Sequence, residues 1–269
     1  MTAIAETRYG DLPAICITSA DGAEAIVTLY GAHLISWKTP DAKQRLFCSA
    51  KSKLDGSRAI RGGVPVIFPQ FAERGDGMRH GFARVSTWRL AGSGIEEGAA
   101  FALFALTQAD LAPAMSTAWP HGFALTLRVA IQDDSLALAL EVRNTGADAF
   151  AFSGALHSYL LVDALGDIAI GGLQEDLLRI SDKIDQIYFG IEAPVTLDQP
   201  AGTLTLTQAG FKDAVVWNPG AEDSAALADM DDDEYLRFVC IEPALIEPVT
   251  LPPGAAWRGA HQVRASSIP

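Results

Sequence analysis

The sequence is poor in cysteine, in positive charge and in long apolar runs, and each shortage excludes something. Its three cysteines, Cys16, Cys48 and Cys240, have no paired short spacing. That rules out a zinc ribbon or a disulfide scaffold and suits free thiols in a reducing compartment. Lysine and arginine total 20 against 33 aspartates and glutamates, a formal net charge of −13. A chain this acidic is a poor general partner for nucleic acid or for an anionic membrane. No apolar run approaches the ~20 residues that cross a bilayer; the longest, residues 99–106, stops at Thr107-Gln108. The N-terminus has no cationic start followed by an apolar stretch, so no signal peptide is expected. Heptads, a GxGxxG fingerprint, a Walker loop and fixed-period repeats are missing as well. The expectation is a cytoplasmic, monomeric protein.

What remains is a composition that folds. Hydrophobic residues make up 49% of the 269 and charged residues 20%, which is the range of a soluble globular chain. A chain of this length buries roughly three quarters of its unfolded surface, so a core forms without staples. We expect residues 1–269 to form a single domain.

Period two is the dominant pattern. Phe123, Leu125, Leu127, Val129 and Ile131 alternate with Ala124, Thr126, Arg128 and Ala130. After a turn, Leu136, Leu138, Leu140 and Val142 alternate with smaller or polar residues. Each arm of such a hairpin lays one face on a core. A third strand carries Phe150, Phe152, Gly154 and Leu156 on one side, and Ala151, Ser153, Ala155, His157 and Tyr159 on the other. Asp21-Gly22 between two β-prone runs signals another hairpin. Residues 31–37, 203–207, 214–217 and 235–241 read as further strands, and 248–257 as a closing strand-turn-strand. Residues 173–180 have the look of an isolated helical turn. The acidic run at 229–234 reads as a solvated loop. Many short strands without intervening helices predict an all-β fold, a large antiparallel β-sandwich.

One stretch runs against the global charge. Residues 58–84 hold Arg58, Arg61, Arg74, Arg79 and Arg84 with His80, broken up by seven glycines and prolines. Glycine and proline at that density impose an irregular loop. Guanidinium forks on such a loop match phosphate or carboxylate oxygens. A solvated loop whose arginines pair with surface acids is the alternative.

Three further residues invite a chemical reading. His157 stands on a strand face of small residues, which is either covered by another layer or open as a cleft. Glu242 shares the parity of Phe238 and Cys240, so it should be buried or at a strand end. A buried carboxylate needs a partner or a raised pKa, which makes Glu242 either a general base or half of an ion pair. Asp185 alone reads as a loop acid, and His33 and His121 as structural. A two-histidine, one-carboxylate metal site would fit the residue types, but no H-x-H or H-x-x-x-H spacing supports one, so no metal is expected.

Taken together, these segments carry a resemblance. R-G-G-V-P-V-I-F-P-Q-F followed by R-H-G-F-A-R-V-S-T-W resembles the signature of the glucose-6-phosphate 1-epimerase family, the hexose-6-phosphate mutarotases of the aldose 1-epimerase superfamily. G-A-H-L-I-S-W, K-L-D-G, L-H-S-Y-L, V-V-W-N-P and C-I-E-P extend it along nearly the whole chain. The resemblance implies a galactose mutarotase-like supersandwich and interconversion of the α and β anomers of a hexose 6-phosphate, without cofactor. It places the catalytic pair at His157 and Glu242, and the sugar- and phosphate-binding positions at Arg61, Arg79, His80, Arg84 and Asp185. The chain departs from the pattern at Arg79, a cation before H-G, and at Gly220, where a second tryptophan is usual. A small sugar phosphate is the expected partner. Two alternatives stay open: an aldose 1-epimerase of unphosphorylated sugars, and a carbohydrate-binding protein without catalysis.

Overall fold

The computed structural model describes residues 3–174 and 177–266. A first antiparallel sheet runs β1 (Ile4–Tyr9), β2 (Leu12–Thr18), β3 (Glu24–Thr28) and β4 (His33–Lys38) in sequential order. The Asp21-Gly22 turn joins β2 to β3 as expected: Gly22 takes φ +98° and Asp21 Oδ1 accepts the Ala23 N–H at 3.3 Å. The chain continues through β5 (Val66–Ile67), β6 (Arg89–Glu96), β7 (Ala99–Thr107), helix α1 (Pro113–Ala118), β8 (Phe123–Gln132) and β9 (Ser135–Asn144). Then come β10 (Phe150–Leu156), β11 (Tyr159–Leu161), β12 (Ala169–Gly171), β13 (Ile184–Tyr188), β14 (Val195–Gln199) and β15 (Gly202–Ala209). The last elements are β16 (Asp213–Asn218), helix α2 (Gly220–Ala226), β17 (Phe238–Leu251) and β18 (Ala256–Ser266).

Two large sheets follow. One has eight strands in the order β12-β14-β15-β18-β9-β8-β7-β6; the other has the order β13-β16-β17-β10-β5, with β11 also on β17. Their strand pairings are antiparallel. The alternating apolar residues of β8 and β9 are buried throughout, in register Leu127↔Leu140 and Leu125↔Val142. They join Phe152, Leu156, Val216, Val239 and Ile241 from the six-stranded sheet, and Ile15, Ile17 and Val27 from the first sheet, in one core. This is the β-sandwich the periodicity predicts. Among the described residues no helix is long and apolar enough to cross a membrane.

Parity on the six-stranded sheet positions everything that follows. On β17, Val239 and Ile241 point into the main core, while Phe238, Cys240, Glu242 and Ala244 take the opposite face. On β16, Val216 packs inward and Val215 and Trp217 outward. The outward face is a second, smaller interior, covered by the arginine loop.

Three local expectations need correction. Residues 235–237 are not strand: Glu234–Arg237 forms a 3-10 turn and β17 begins at Phe238, because Leu236 points to solvent, 43% exposed. Residues 173–180 form no described helix. Glu175 and Asp176 lie outside the described residues, and Leu178 bridges Ile170 as extended chain. The acidic run at 229–234 is not uniformly solvated, since Asp229 is buried against two arginines.

Candidate active site

A cavity of about 530 Å³ opens on the outward face of the six-stranded sheet. Every residue that the resemblance assigns to the site lines it: His157, Glu242, Arg61, Arg79, His80, Arg84 and Asp185. Arg58 also reaches it, whereas Arg74 does not.

Its floor is a row across neighbouring strands. Asp185 on β13 sits opposite Trp217 on β16, Trp217 opposite Cys240 on β17, and Cys240 opposite Tyr159 on β11. Glu242 follows Cys240 at the next same-face position, opposite Val215. His157 stands just past the end of β10, where its backbone N–H donates to Pro65 O at 3.0 Å. Its ring lies between aromatic partners: Tyr159 stacks flat on it, and His80 and Trp217 meet it edge-on at 5.7 and 5.9 Å.

His157 Nδ1 comes within 3.3 Å of Glu242 Oε1. The contact lacks hydrogen-bond alignment; Nδ1 and Glu242 Oε2 have no hydrogen-bond partner among the described residues. Both side chains are buried. Burial, with Asp185 nearby, pushes the Glu242 carboxyl well above its ordinary pKa. Burial, reinforced by His80, Arg61 and Arg84, pushes the His157 imidazole well below its own. Low polarity and the surrounding charges therefore favour a neutral imidazole beside a protonated carboxyl.

The cations are held unequally. Arg61 donates from Nε and Nη2 to Asp229 at 3.3 Å and from Nη1 to the Tyr159 hydroxyl at 3.2 Å. Arg58 shares the same Asp229 at 3.4 Å. Arg84 has no ion-pair partner among the described residues. Its Nη2 donates to Arg79 O at 3.0 Å, and its buried Nε has no partner. Burial, with Arg61 and Arg79 close by, lowers its pKa to about 10, so it remains a cation at neutral pH. A half-buried guanidinium without a counter-ion carries an uncompensated desolvation cost, and an anion in the cavity would relieve it.

His80 owes its place to an unusual backbone. It adopts φ +62° and is followed by Gly81 at φ +68°. A Cβ on Gly81 would sit 2.0 Å from Phe68 O, so the tight turn requires glycine. The His80 Nδ1 accepts the Ala72 N–H at 3.3 Å, which leaves the ring proton on Nε2. Burial, with Arg84, Arg79 and Arg61, lowers its pKa to about 3. His80 is thus a neutral donor, poorly suited to accepting a proton.

Tyr159, Trp217 and Asp229 line the cavity, although residue type and spacing assign them no function. Strand parity already puts Tyr159 beside His157. Asp229 leaves no local signal, because its partner Arg61 lies 168 residues away. Spacing likewise hides a cluster of possible metal ligands: His157, Cys240 and Glu242 bring ligand atoms within 4.8 Å of one another. Burial and Glu242 push the Cys240 thiol well above its usual pKa, which works against the thiolate a metal needs. Gly220 opens α2 at φ +67°, and a Cβ there would lie only 2.7 Å from Lys183 N, so that turn has no room for a larger side chain.

Similarity to known proteins now decides the family. The aldose 1-epimerase family profile matches residues 13–176, more than half of the chain. The chain belongs to the aldose 1-epimerase family. A protein of Cenchrus ciliaris that carries the provisional name glucose-6-phosphate 1-epimerase is 31% identical over 96% of this chain and 85% of its own length. A Salmonella typhimurium protein with the same provisional name is 28% identical over 90% of this chain and 86% of its own. A Salmonella typhimurium crystal structure, provisionally described as a mutarotase, superposes with a TM-score of 0.89 at 26% identity. The match covers 99% of this chain and 94% of that one. A galactose 1-epimerase structure from Lactobacillus acidophilus shares the fold at a TM-score of 0.74 and 12% identity, over 99% of each chain. The galactose mutarotase-like sandwich expected from the resemblance is therefore the fold of this family member. Glu242 lies outside the segment that the family profile matches, but within the reach of a 96% alignment to the first relative.

Proposed function

We propose that the protein interconverts the α and β anomers of a hexose 6-phosphate, with glucose 6-phosphate as the leading substrate. One observation carries the proposal. A histidine that follows β10 and a glutamate on β17 meet at 3.3 Å in a cavity that also holds a guanidinium without a counter-ion among the described residues. The volume of about 530 Å³ suits a small ligand. The relatives' names point to the same substrate. The core shared by all three sheets supports reading residues 1–269 as one domain.

Ring opening needs one proton removed and one delivered. The Glu242 carboxylate takes the proton of the anomeric hydroxyl as the bond between the anomeric carbon and the ring oxygen breaks. The His157 imidazolium delivers its proton to that ring oxygen. The products are an aldehyde, a free hydroxyl, a protonated Glu242 and a neutral His157. Rotation about the bond beside the anomeric carbon and reversal of both transfers closes the other anomer.

The pair holds the same number of protons before and after. Only the bearer changes. The neutral form that burial favours is the partner of the open-chain sugar, whereas the charged pair that starts ring opening is populated against that bias. Each positioned proton transfer supplies roughly 10²–10⁴ in rate. Arg61, Arg79 and Arg84 serve the 6-phosphate, His80 donates to a sugar oxygen from Nε2, and Asp185 accepts a sugar hydroxyl. Remote charge of this kind orients the ring against the pair.

The test is exchange NMR of glucose 6-phosphate anomers against glucose. Faster exchange of the phosphate ester is expected, with catalytic efficiency at least ~10-fold above glucose, the worth of one charge-assisted contact. Equal efficiency on both sugars would favour an epimerase of unphosphorylated sugars, and binding without faster exchange would favour a carbohydrate-binding protein.

A further inference from the structure

The two halves of this cavity are not electrically independent. Arg61 Nη1 bonds the hydroxyl of Tyr159, and Tyr159 lies flat against His157 with ring centroids 4.8 Å apart. One aromatic ring therefore separates a guanidinium from the imidazole. The charge of Arg61 is only partly balanced, because its Asp229 is shared with Arg58. Arg84 is balanced by no carboxylate among the described residues and keeps a buried Nε without a partner. His80, itself ringed by arginines, touches the other side of His157.

The groups around the pair act with opposite preferences. His157 is faced by Arg61, Arg84 and His80 in the cavity wall, Tyr159 on β11, and Cys240 and Glu242 on β17. Burial, and then His80, Arg61 and Arg84, lower its proton affinity. Burial, and then Asp185, raise that of Glu242. Both influences move the shared proton from His157 to Glu242. Ring opening needs the reverse distribution at its start, with a charged imidazole and a free carboxylate. Burial is the larger influence on both groups, and without an anion the arginines add to it at His157, so the inactive arrangement is favoured further.

We propose that an oxyanion seated on Arg61 and Arg84 activates the His157–Glu242 pair, so that the substrate's own phosphate turns on the chemistry at the other end of the sugar. This rests on the anomerase reading and goes beyond it. The phosphate is not only a handle for binding. It cancels the guanidinium part of the bias at His157 and shifts the proton toward the imidazole, so that Glu242 is more often free to act as base. A consequence separates this from simple anchoring: the anion need not be attached to the sugar. A free dianion in the arginine subsite should activate turnover of a neutral sugar in the remainder of the cavity. Removing a charge effect at such range changes a buried group's protonation by a factor of about ten or more.

Sulfate is the probe, because near neutral pH it is a dianion that transfers no protons and does not itself catalyse mutarotation as phosphate buffer does. The enzyme-dependent exchange of glucose anomers is followed at constant ionic strength, with sodium chloride replaced stepwise by sodium sulfate. The expected result is a saturable rise of about ten-fold or more in catalytic efficiency on glucose, absent in Arg84→Ala. In the wild-type protein the His157 imidazole nitrogens should shift toward the protonated form on adding sulfate, as read by nitrogen-15 NMR. Sulfate that leaves glucose turnover unchanged, or only inhibits it, overturns this proposal if glucose 6-phosphate is still turned over by the same preparation. If glucose 6-phosphate is not turned over either, the anomerase reading fails and this inference falls with it.

Discussion

Tyr159 lies flat against His157, its ring plane 10° from parallel and its hydroxyl accepting a hydrogen bond from Arg61. The stack fixes the plane of the imidazole, and Phe238 at 5.2 Å backs the tyrosine from behind. Tyr159→Phe keeps the stack and loses only the Arg61 contact. It should lower the turnover number by less than ~5-fold, while raising KM for the sugar phosphate. Tyr159→Leu removes the stack and should lower the turnover number ~10²-fold, since loss of orientation at a reacting group is severe. A Tyr159→Leu protein that melts lower but turns over normally would make Tyr159 structural only.

Glu242→Gln tests the base directly. The side chains are isosteric and the site already favours a protonated carboxyl, so the fold should tolerate the change. Turnover should drop ~10³-fold or more, with binding of the sugar phosphate by calorimetry kept within a few-fold. Unchanged turnover would remove Glu242 from the mechanism.

The arginines separate into two kinds. Arg84 has no counter-ion among the described residues, so Arg84→Ala should raise KM for glucose 6-phosphate ~10- to 100-fold and leave KM for glucose nearly unchanged. Arg61 is the more buried of two partners to a buried carboxylate. Arg61→Ala leaves Asp229 with only Arg58, whose side chain is 44% exposed. It should therefore cost about 3 kcal/mol of stability as well as substrate affinity, because it strips a buried ion pair. Denaturant unfolding beside steady-state kinetics distinguishes the two; equal melting of both variants would contradict the assignment.

Two histidines away from the cavity make stability depend on pH. His33 donates from Nε2 to Gly62 O at 2.7 Å, and its Nδ1 has no partner among the described residues. His261 donates from Nδ1 to Thr207 O at 3.1 Å, and its Nε2 has none among the described residues. Burial lowers both pKa values to about 4. An unfolded histidine takes its proton near 6.5, the folded one only near 4. Between those values the unfolded chain binds more protons, so stability falls as pH drops through that window and is level above it. Each group contributes at most about 1.4 kcal/mol per pH unit, so the pair should remove roughly 2 kcal/mol between pH 6 and pH 5. Urea unfolding at pH 7, 6 and 5 checks this; a flat profile would mean that both residues charge freely in the fold.

How much of this can be read from residues alone follows the range of the interactions. Alternation over β8 and β9 is a local signal, and it suffices for the sandwich. The parity of Phe238, Cys240 and Glu242 is local too, so the burial of Glu242 is visible although the start of β17 is not. Leu236 shares that parity but points to solvent from a 3-10 turn, since turn geometry depends on what packs above it. Asp229 misleads for a deeper reason: acidic neighbours suggest a solvated loop, and only tertiary pairing with Arg58 and Arg61 shows otherwise. The grouping of His157 with Cys240 and Glu242, residues remote in the chain, has no sequence spacing to announce it. The roles given to His157, Glu242, Arg61, Arg79, His80, Arg84 and Asp185 come from a family resemblance, and the shared cavity supplies geometry for them.

The ligand-facing wall is stitched from remote parts of the chain. Arg61 meets Asp229 across a separation of 168 positions, and Ser49 meets Glu234 across 185. Contacts of such high sequence separation carry a larger loop-closure cost than the hairpins, so they are expected to close after them. Anomer exchange is consequently an assay of the finished tertiary structure: a half-assembled chain has the strands but not the pocket, and heat should abolish catalysis no later than it melts the sandwich.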